Sequence, residues 1–133
     1  MTIRIEAVGV HDGLLAVDVL LNGTVWAFLI VDPGASRCTL SEKFVGTHPE
    51  LRLRATPRTL SSGVAAHTES VSSSVFICQS VELGSVARNS IEFVVMALPP
   101  QAMIDGVLGV NFLHPYRVTF DFIEEWVEFD DRL

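Results

Sequence analysis

Two short segments hold the residues whose types and spacing suit chemistry: Val31-Asp32-Pro33-Gly34-Ala35-Ser36 and Ile104-Asp105-Gly106-Val107-Leu108-Gly109. In the first, an apolar run from Ala27 to Val31 delivers a carboxylate onto a tight turn, where it is a candidate general acid or base. A partly buried carboxylate needs donors to stay ionised, and the backbone N–H groups of a following turn, that of Gly34 above all, can supply them. Asp-Pro-Gly is equally an ordinary turn signal, so this segment alone leaves both readings open. In the second segment Asp105 offers another carboxylate, or simply a turn. Ser36 lies in no Gly-x-Ser-x-Gly elbow, which disfavours a serine nucleophile. His11, His48, His67 and His114 share no ligand spacing with one another or with Cys38 and Cys78, so neither a metal nor another cofactor is expected.

The elements that must position these residues read as strands. Alternating and β-branched runs dominate, and no segment sustains an apolar period of 3.6. Leu14 to Leu21 and Thr24 to Val31 flank Asn22-Gly23, a pair that tolerates positive φ at both positions and predicts a type I′ hairpin. Ser41 can cap a short helical turn ending near Gly46. The Ser-, Gly- and Thr-rich stretch from Thr59 to Ser74 reads as an exposed hairpin tip, followed by apolar runs at Val75 to Cys78 and Val81 to Gly84. Asn89 to Ala97 reads as a strand broken by Pro99-Pro100, and Val107 to Leu113 as one or two helical turns stopped by Pro115. Tyr116 to Phe122 and Trp126 to Phe129 close the chain. Trp26 and Trp126 read as core or surface-contact aromatics, and the acidic run from Glu124 to Asp131 as a solvated face.

The order of three features resembles the retropepsin-like aspartic protease family, from about Leu14 to Phe129. An apolar strand enters Asp32-Pro33-Gly34-Ala35-Ser36, a hairpin follows around Ser61-Ser62-Gly63-Val64, and Val107-Leu108-Gly109 precedes Asn111-Phe112-Leu113. The resemblance implies an all-β closed barrel with one short helix near Val110 to Leu113 and a flap hairpin, as a single domain over residues 1–133. It implies Asp32 as catalytic carboxylate, residues 33–36 as its active-site loop, Ser61, Ser62, Gly63 and Val64 as flap, and Val107, Leu108 and Gly109 as loop support. The resemblance also places the Asp105 segment beneath that loop, which favours a turn or helix-entry role for Asp105. With one such carboxylate per chain, the implied activity is an endopeptidase acting on extended peptides or proteins through a symmetric homodimer. Pro33 departs from the pattern. The family has Thr or Ser there, whose hydroxyl and N–H lock the two loops across the dimer, and proline has neither group. A non-catalytic module that kept the fold for dimerisation or peptide binding is therefore the second reading.

Bulk composition narrows the rest. The chain has 133 residues, 49% hydrophobic, with a net charge of −7, and its nine Lys and Arg are scattered singly. That balance opposes binding to nucleic acid. Every apolar run is interrupted by Asp, Asn or Gly within about ten residues, too short to span a bilayer. Arg4, Glu6 and Asp12 interrupt any apolar signal core, which leaves a cytoplasmic location as the expectation. Two cysteines in such a setting are expected as free, buried thiols.

Overall fold

The computed structural model describes residues 1–51, 56–61 and 70–131, with backbone only for Asp12, 56–61 and 70–73. Strand β1 (Thr2–Glu6) leads into β2 (Val8–Val10), and a 3-10 turn over His11–Gly13 turns the chain into β3 (Leu14–Leu21). Asn22 and Gly23 take φ of 52° and 68°, as the dipeptide predicts, and return the chain as β4 (Val25–Val31). Then come β5 (Cys38–Ser41), α1 (Glu42–Thr47), β6 (Thr56–Ser61), β7 (Ser70–Leu83) and β8 (Val86–Met96). The chain ends with β9 (Gly106–Leu108), α2 (Val110–Leu113), β10 (Arg117–Asp121) and β11 (Trp126–Asp130).

Strands β3, β4, β9, β5, β8 and β7 are neighbours in that order, and β3 pairs again with β7, which closes a six-strand barrel. The fold is thus mostly β, as expected, and among the described residues it has two short α-helices, α2 at the expected place and a second at the turn that Ser41 was expected to cap. The second is α1, where the Ser41 hydroxyl accepts from Phe44 N–H at 3.0 Å and satisfies one of the orphan donors of the first turn. The expected strand at Asn89 begins earlier, at Val86, because Gly84 takes φ +54° and makes the turn from β7.

A second sheet, β1–β11–β10, joins the two ends of the described chain. It packs on the barrel through Val127 and Phe129, with Phe129 edge-on to Phe112 of α2 at 6.4 Å between ring centres. The Asp32 end of the barrel is covered on both faces: Leu15, Ala16 and Val17 are all buried, as are Leu29, Ile30 and Val31. Simple in-out alternation fails there, consistent with a strand packed on both sides. Cys38 and Cys78 are free and buried in this core.

Candidate active site

Strand β9 is inserted between β4 and β5, parallel to the first and antiparallel to the second. This is what positions Asp32. Its register puts Val31 beside Leu108, and Asp32 N–H donates to Leu108 C=O at 3.0 Å, extending the ladder by one bond into the loop. Ala35 N–H then donates to Asp32 C=O at 3.2 Å, closing a four-residue turn with Pro33 second, where its fixed φ is suited. Gly34 N–H donates to Asp32 Oδ1 at 2.8 Å. Gly34 is not among the residues with positive φ; a Cβ there would sit 3.1 Å from the same Oδ1, a tight contact that would press on the carboxylate. The outcome is a half-buried carboxylate, anchored through its backbone and holding one backbone donor.

The loop rests on Gly109. A Cβ on Gly109 would lie 2.6 Å from the Arg37 carbonyl and 2.8 Å from the Ala35 oxygen, so only glycine lets the two segments touch. Val110 N–H donates to Ala35 C=O at 2.8 Å and Gly109 N–H to Cys38 Sγ at 3.3 Å, binding the start of α2 to both ends of the turn. Val107 pairs with Ile30 on one side and Thr39 on the other. The structure therefore brings Asp32, Gly34, Ala35, Leu108 and Gly109 together, with Pro33 and Ser36 on the exposed rim. Ser61 ends β6 opposite Ser70, while Ser62, Gly63, Val64 and His67 lie outside the described residues.

Two further residues hold this arrangement, and sequence reasoning assigned neither a role. Asn111 accepts from Cys38 N–H at 2.8 Å and donates to Glu92 C=O at 2.8 Å, tying α2 to β5 and β8. Arg88 donates to the carbonyls of Asn111 and Phe112 at 2.9 and 2.8 Å, satisfying α2 where its last carbonyls have no helical partner. A lone arginine within a strand carries no signal of such a role. Asn111, a poor helix former inside a predicted helical turn, carried a faint one.

Asp105 is placed elsewhere. It lies level with Phe28, with Asp105 N–H donating to Phe28 C=O and Phe28 N–H to Asp105 Oδ2, both at 2.8 Å. Four residues of β4 separate that level from Asp32, roughly 13 Å along a strand. Asp105 is thus a strand-entry residue and no intrachain partner for Asp32. Beside it opens a cavity of about 600 Å³ lined by Trp26, Phe44, His48 and Met103 among others, and Trp26 is exposed there rather than in the core.

The thiols offer no alternative chemistry. Burial pushes Cys38 up to about 11 against the opposing Gly109 N–H, and burial followed by the neighbouring Cys38 pushes Cys78 up to about 12. Thiolate nucleophiles need the opposite shift. Among the described residues no group of three or more His, Cys, Asp or Glu could hold a metal ion, and no helix is long and apolar enough to cross a membrane.

Similarity to known proteins agrees with this geometry. Structures of similar fold include a retropepsin-like aspartic protease from Rickettsia conorii, at TM-score 0.64 and 20% identity, covering 97% of this chain and 90% of that one. The EIAV protease complexed with the inhibitor HBY-793 follows at TM-score 0.51 and 16% identity, covering 77% and 88%. The retroviral protease-like domain of Ddi1 from Leishmania major has TM-score 0.52 and 16% identity, with 92% of each chain covered. No curated protein matches the sequence significantly. The family model described as aspartyl protease matches residues 17–112, which span β3 to α2 and include every contact described around Asp32, and on that ground the chain belongs to the aspartyl protease family, in a retropepsin-like fold.

Proposed function

We propose that this chain is an aspartic endopeptidase working as a homodimer, in which Asp32 of each copy supplies half of a catalytic dyad. The observation that carries the reading is the state of Asp32: half-buried at a strand end, its backbone bonded to Leu108, its carboxylate holding one donor from Gly34 and, among the described residues, no donor on its other oxygen, which is left to meet substrate and a second carboxylate. Two facing carboxylates share one proton. The ionised one takes a proton from water as the water oxygen bonds to the scissile carbonyl carbon, and the protonated one gives its proton to the carbonyl oxygen. Collapse of the tetrahedral diol breaks the C–N bond: the protonated carboxyl gives its proton to the leaving nitrogen, a diol hydroxyl gives its proton to the ionised carboxylate as it becomes the product carbonyl, and the pair returns to its singly protonated state. An extended peptide or unfolded protein segment is the substrate; the whole chain serves as one domain, needs no cofactor, and acts in the cytoplasm.

Asp32→Asn keeps the shape and removes the shared proton. Cleavage of an added unfolded protein at mildly acidic pH is expected to fall to background in this variant, with thermal unfolding unchanged and wild-type cleavage blocked by a transition-state inhibitor of aspartic proteases. The substrate must be an added one, because the Asp32-Pro33 bond itself is of a kind that breaks in strong acid. Equal cleavage by wild type and variant, or none by either, would leave the non-catalytic module, the reading favoured by Pro33 with its missing N–H and hydroxyl.

A further inference from the structure

Strand β4 has two unlike faces. Val25, Ala27, Leu29 and Val31 belong to the hydrophobic core, so Trp26, Phe28 and Ile30, which alternate with them, share the outer face that leads on to Asp32. Val107 of β9, level with Ile30, and Thr39 of β5, level with Val107, extend that face sideways, while their neighbours Leu108 and Leu40 belong to the core. The cavity of about 600 Å³ opens at the far end of this face, lined by Trp26 and by Asp105, the residue level with Phe28. Phe28 and Trp26 stand four and six residues before Asp32, roughly 13 and 20 Å along a strand. Backbone bonds fix the walls of the cavity: Ser41 N–H donates to Asp105 C=O at 2.8 Å, and Ala102 N–H to Pro99 C=O at 2.9 Å, which holds the segment that carries Met103.

We propose that this cavity is an outer binding site for the peptide substrate, taking a large aromatic or aliphatic side chain about four to six residues from the scissile bond. The proposal rests on the dyad reading, which puts the scissile bond at Asp32. An extended peptide lying along the β4 face advances about 3.3 to 3.6 Å per residue and so arrives at the cavity after that many. The chemistry of the lining selects the side chain. Its polar side chains are already committed within the fold: the Ser41 hydroxyl accepts from Phe44 N–H, the Thr47 hydroxyl donates to Phe44 C=O at 3.0 Å, and Asp105 Oδ2 accepts from Phe28 N–H. His48 Nδ1 lies 2.9 Å from the same Phe44 carbonyl, which can only accept, so that nitrogen carries a proton and is engaged as well. The rest of the wall is apolar: the His48 ring stacked on Phe44 at 4.2 Å between centres, the Trp26 ring, 61% exposed, and the Met103 side chain, 79% exposed. Rings and a polarisable sulfur favour a large apolar side chain. Glu42 and Lys43, exposed on α1 with opposite charges, add no net charge at the rim. In a symmetric dimer each copy brings its own cavity, so the preference is expected on both sides of the scissile bond.

Digestion of an added unfolded protein, with every cleavage site read by mass spectrometry, tests the proposal in wild type, Trp26→Ala and Met103→Ser. Wild type is expected to cut about tenfold faster where a large apolar residue stands about four to six positions from the cut than where a polar one does, and both variants to narrow that preference to about twofold. Both side chains are largely exposed, so the variants keep the fold, checked by thermal melts. A second readout needs no catalysis. Trp126→Phe leaves Trp26 as the single tryptophan, and its emission is expected to shift to the blue, saturably, with a capped peptide carrying Phe and Leu at alternate positions but not with its Ser analogue. A preference unchanged in both variants, or absent from wild type, while Asp32→Asn is inactive, would overturn the cavity and leave the dyad standing. Emission that shifts with protein concentration in the absence of peptide would give the cavity to a second copy instead. A wild type that cuts nothing while Trp26 responds to the peptide would overturn the dyad and leave the cavity as the peptide site of a non-catalytic module. Neither cutting nor response would overturn both.

Discussion

At one end of the β4–β9 ladder Asp105 closes a mutual pair of 2.8 Å hydrogen bonds with Phe28, and at the other Asp32 takes a single 2.8 Å bond from Gly34 on an exposed turn. Both are aspartates, both adjoin a glycine-containing segment, and both are joined to the neighbouring strand through their own backbone N–H. What separates them is where the carboxylate's donors come from. Asp105 takes its donor from another strand and so joins two parts of the chain, whereas Asp32 takes it from two residues on and joins only its own turn. A carboxylate satisfied across the fold is used up as structure, while one satisfied within its turn ties no second segment of the chain. Type and spacing alone do not distinguish these two states.

The largest effect expected from breaking this comparison is at Gly106, which lets β9 enter between β4 and β5 and so sets both ends. A Cβ on Gly106 would overlap the Thr39 carbonyl oxygen and approach Leu40 Cα to 3.0 Å, backbone that cannot move aside. Gly106→Ala is expected to cost more than about 3 kcal/mol and to remove cooperative unfolding, as seen in thermal melts.

Next comes Asp105→Ala, which strands the Phe28 N–H in a partly buried position. A lost hydrogen bond to a charged acceptor should lower stability by about 1.5–3 kcal/mol in urea titrations, with hydrolysis per folded molecule retained. The converse result, lost activity with unchanged stability, would reverse the roles assigned to the two aspartates.

The thiols sharpen the picture on the Asp32 side, since Cys38 Sγ is the acceptor for Gly109 N–H. Burial raises both thiols, to about 11 and about 12 from an ordinary 9.0, so the fold favours their protonated forms. The stability this lends is fully present below pH 9 and is lost as pH rises towards 11. The urea midpoint should therefore fall between pH 8.5 and 10.5 in wild type and fall less in the Cys38→Ala, Cys78→Ala double variant.

The smallest expected effect concerns Pro33→Thr, which returns an N–H and a hydroxyl to the exposed rim of the turn. If loops of two copies meet there, each recovered cross-dimer hydrogen bond should tighten association by about 1 kcal/mol, readable as a lower dimer dissociation constant. An unchanged constant would show that other contacts already fix the loops.

Much of this architecture was legible because it is local. Asn22-Gly23 specifies its hairpin through the φ values both residues tolerate, Ser41 its cap through one hydroxyl, and the run into Asp32-Pro33-Gly34 its turn, all within a few residues of chain. The pairing of β1 with β11 was not legible, since it joins residues more than a hundred positions apart, and alternation within a strand marks a face without naming a partner. Local chemistry thus determined that a carboxylate would stand on a turn at the end of an apolar strand, in the order of elements the aspartyl protease family shares. Only the tertiary structure decided that Asp105 is consumed by Phe28 while Asp32 is not, and that Asn111 and Arg88 brace the loop from behind. Those outcomes depend on inserting β9 between β4 and β5, two consecutive strands that lie far before it in the chain, and the contacts made there are properties of the register, which no single segment contains.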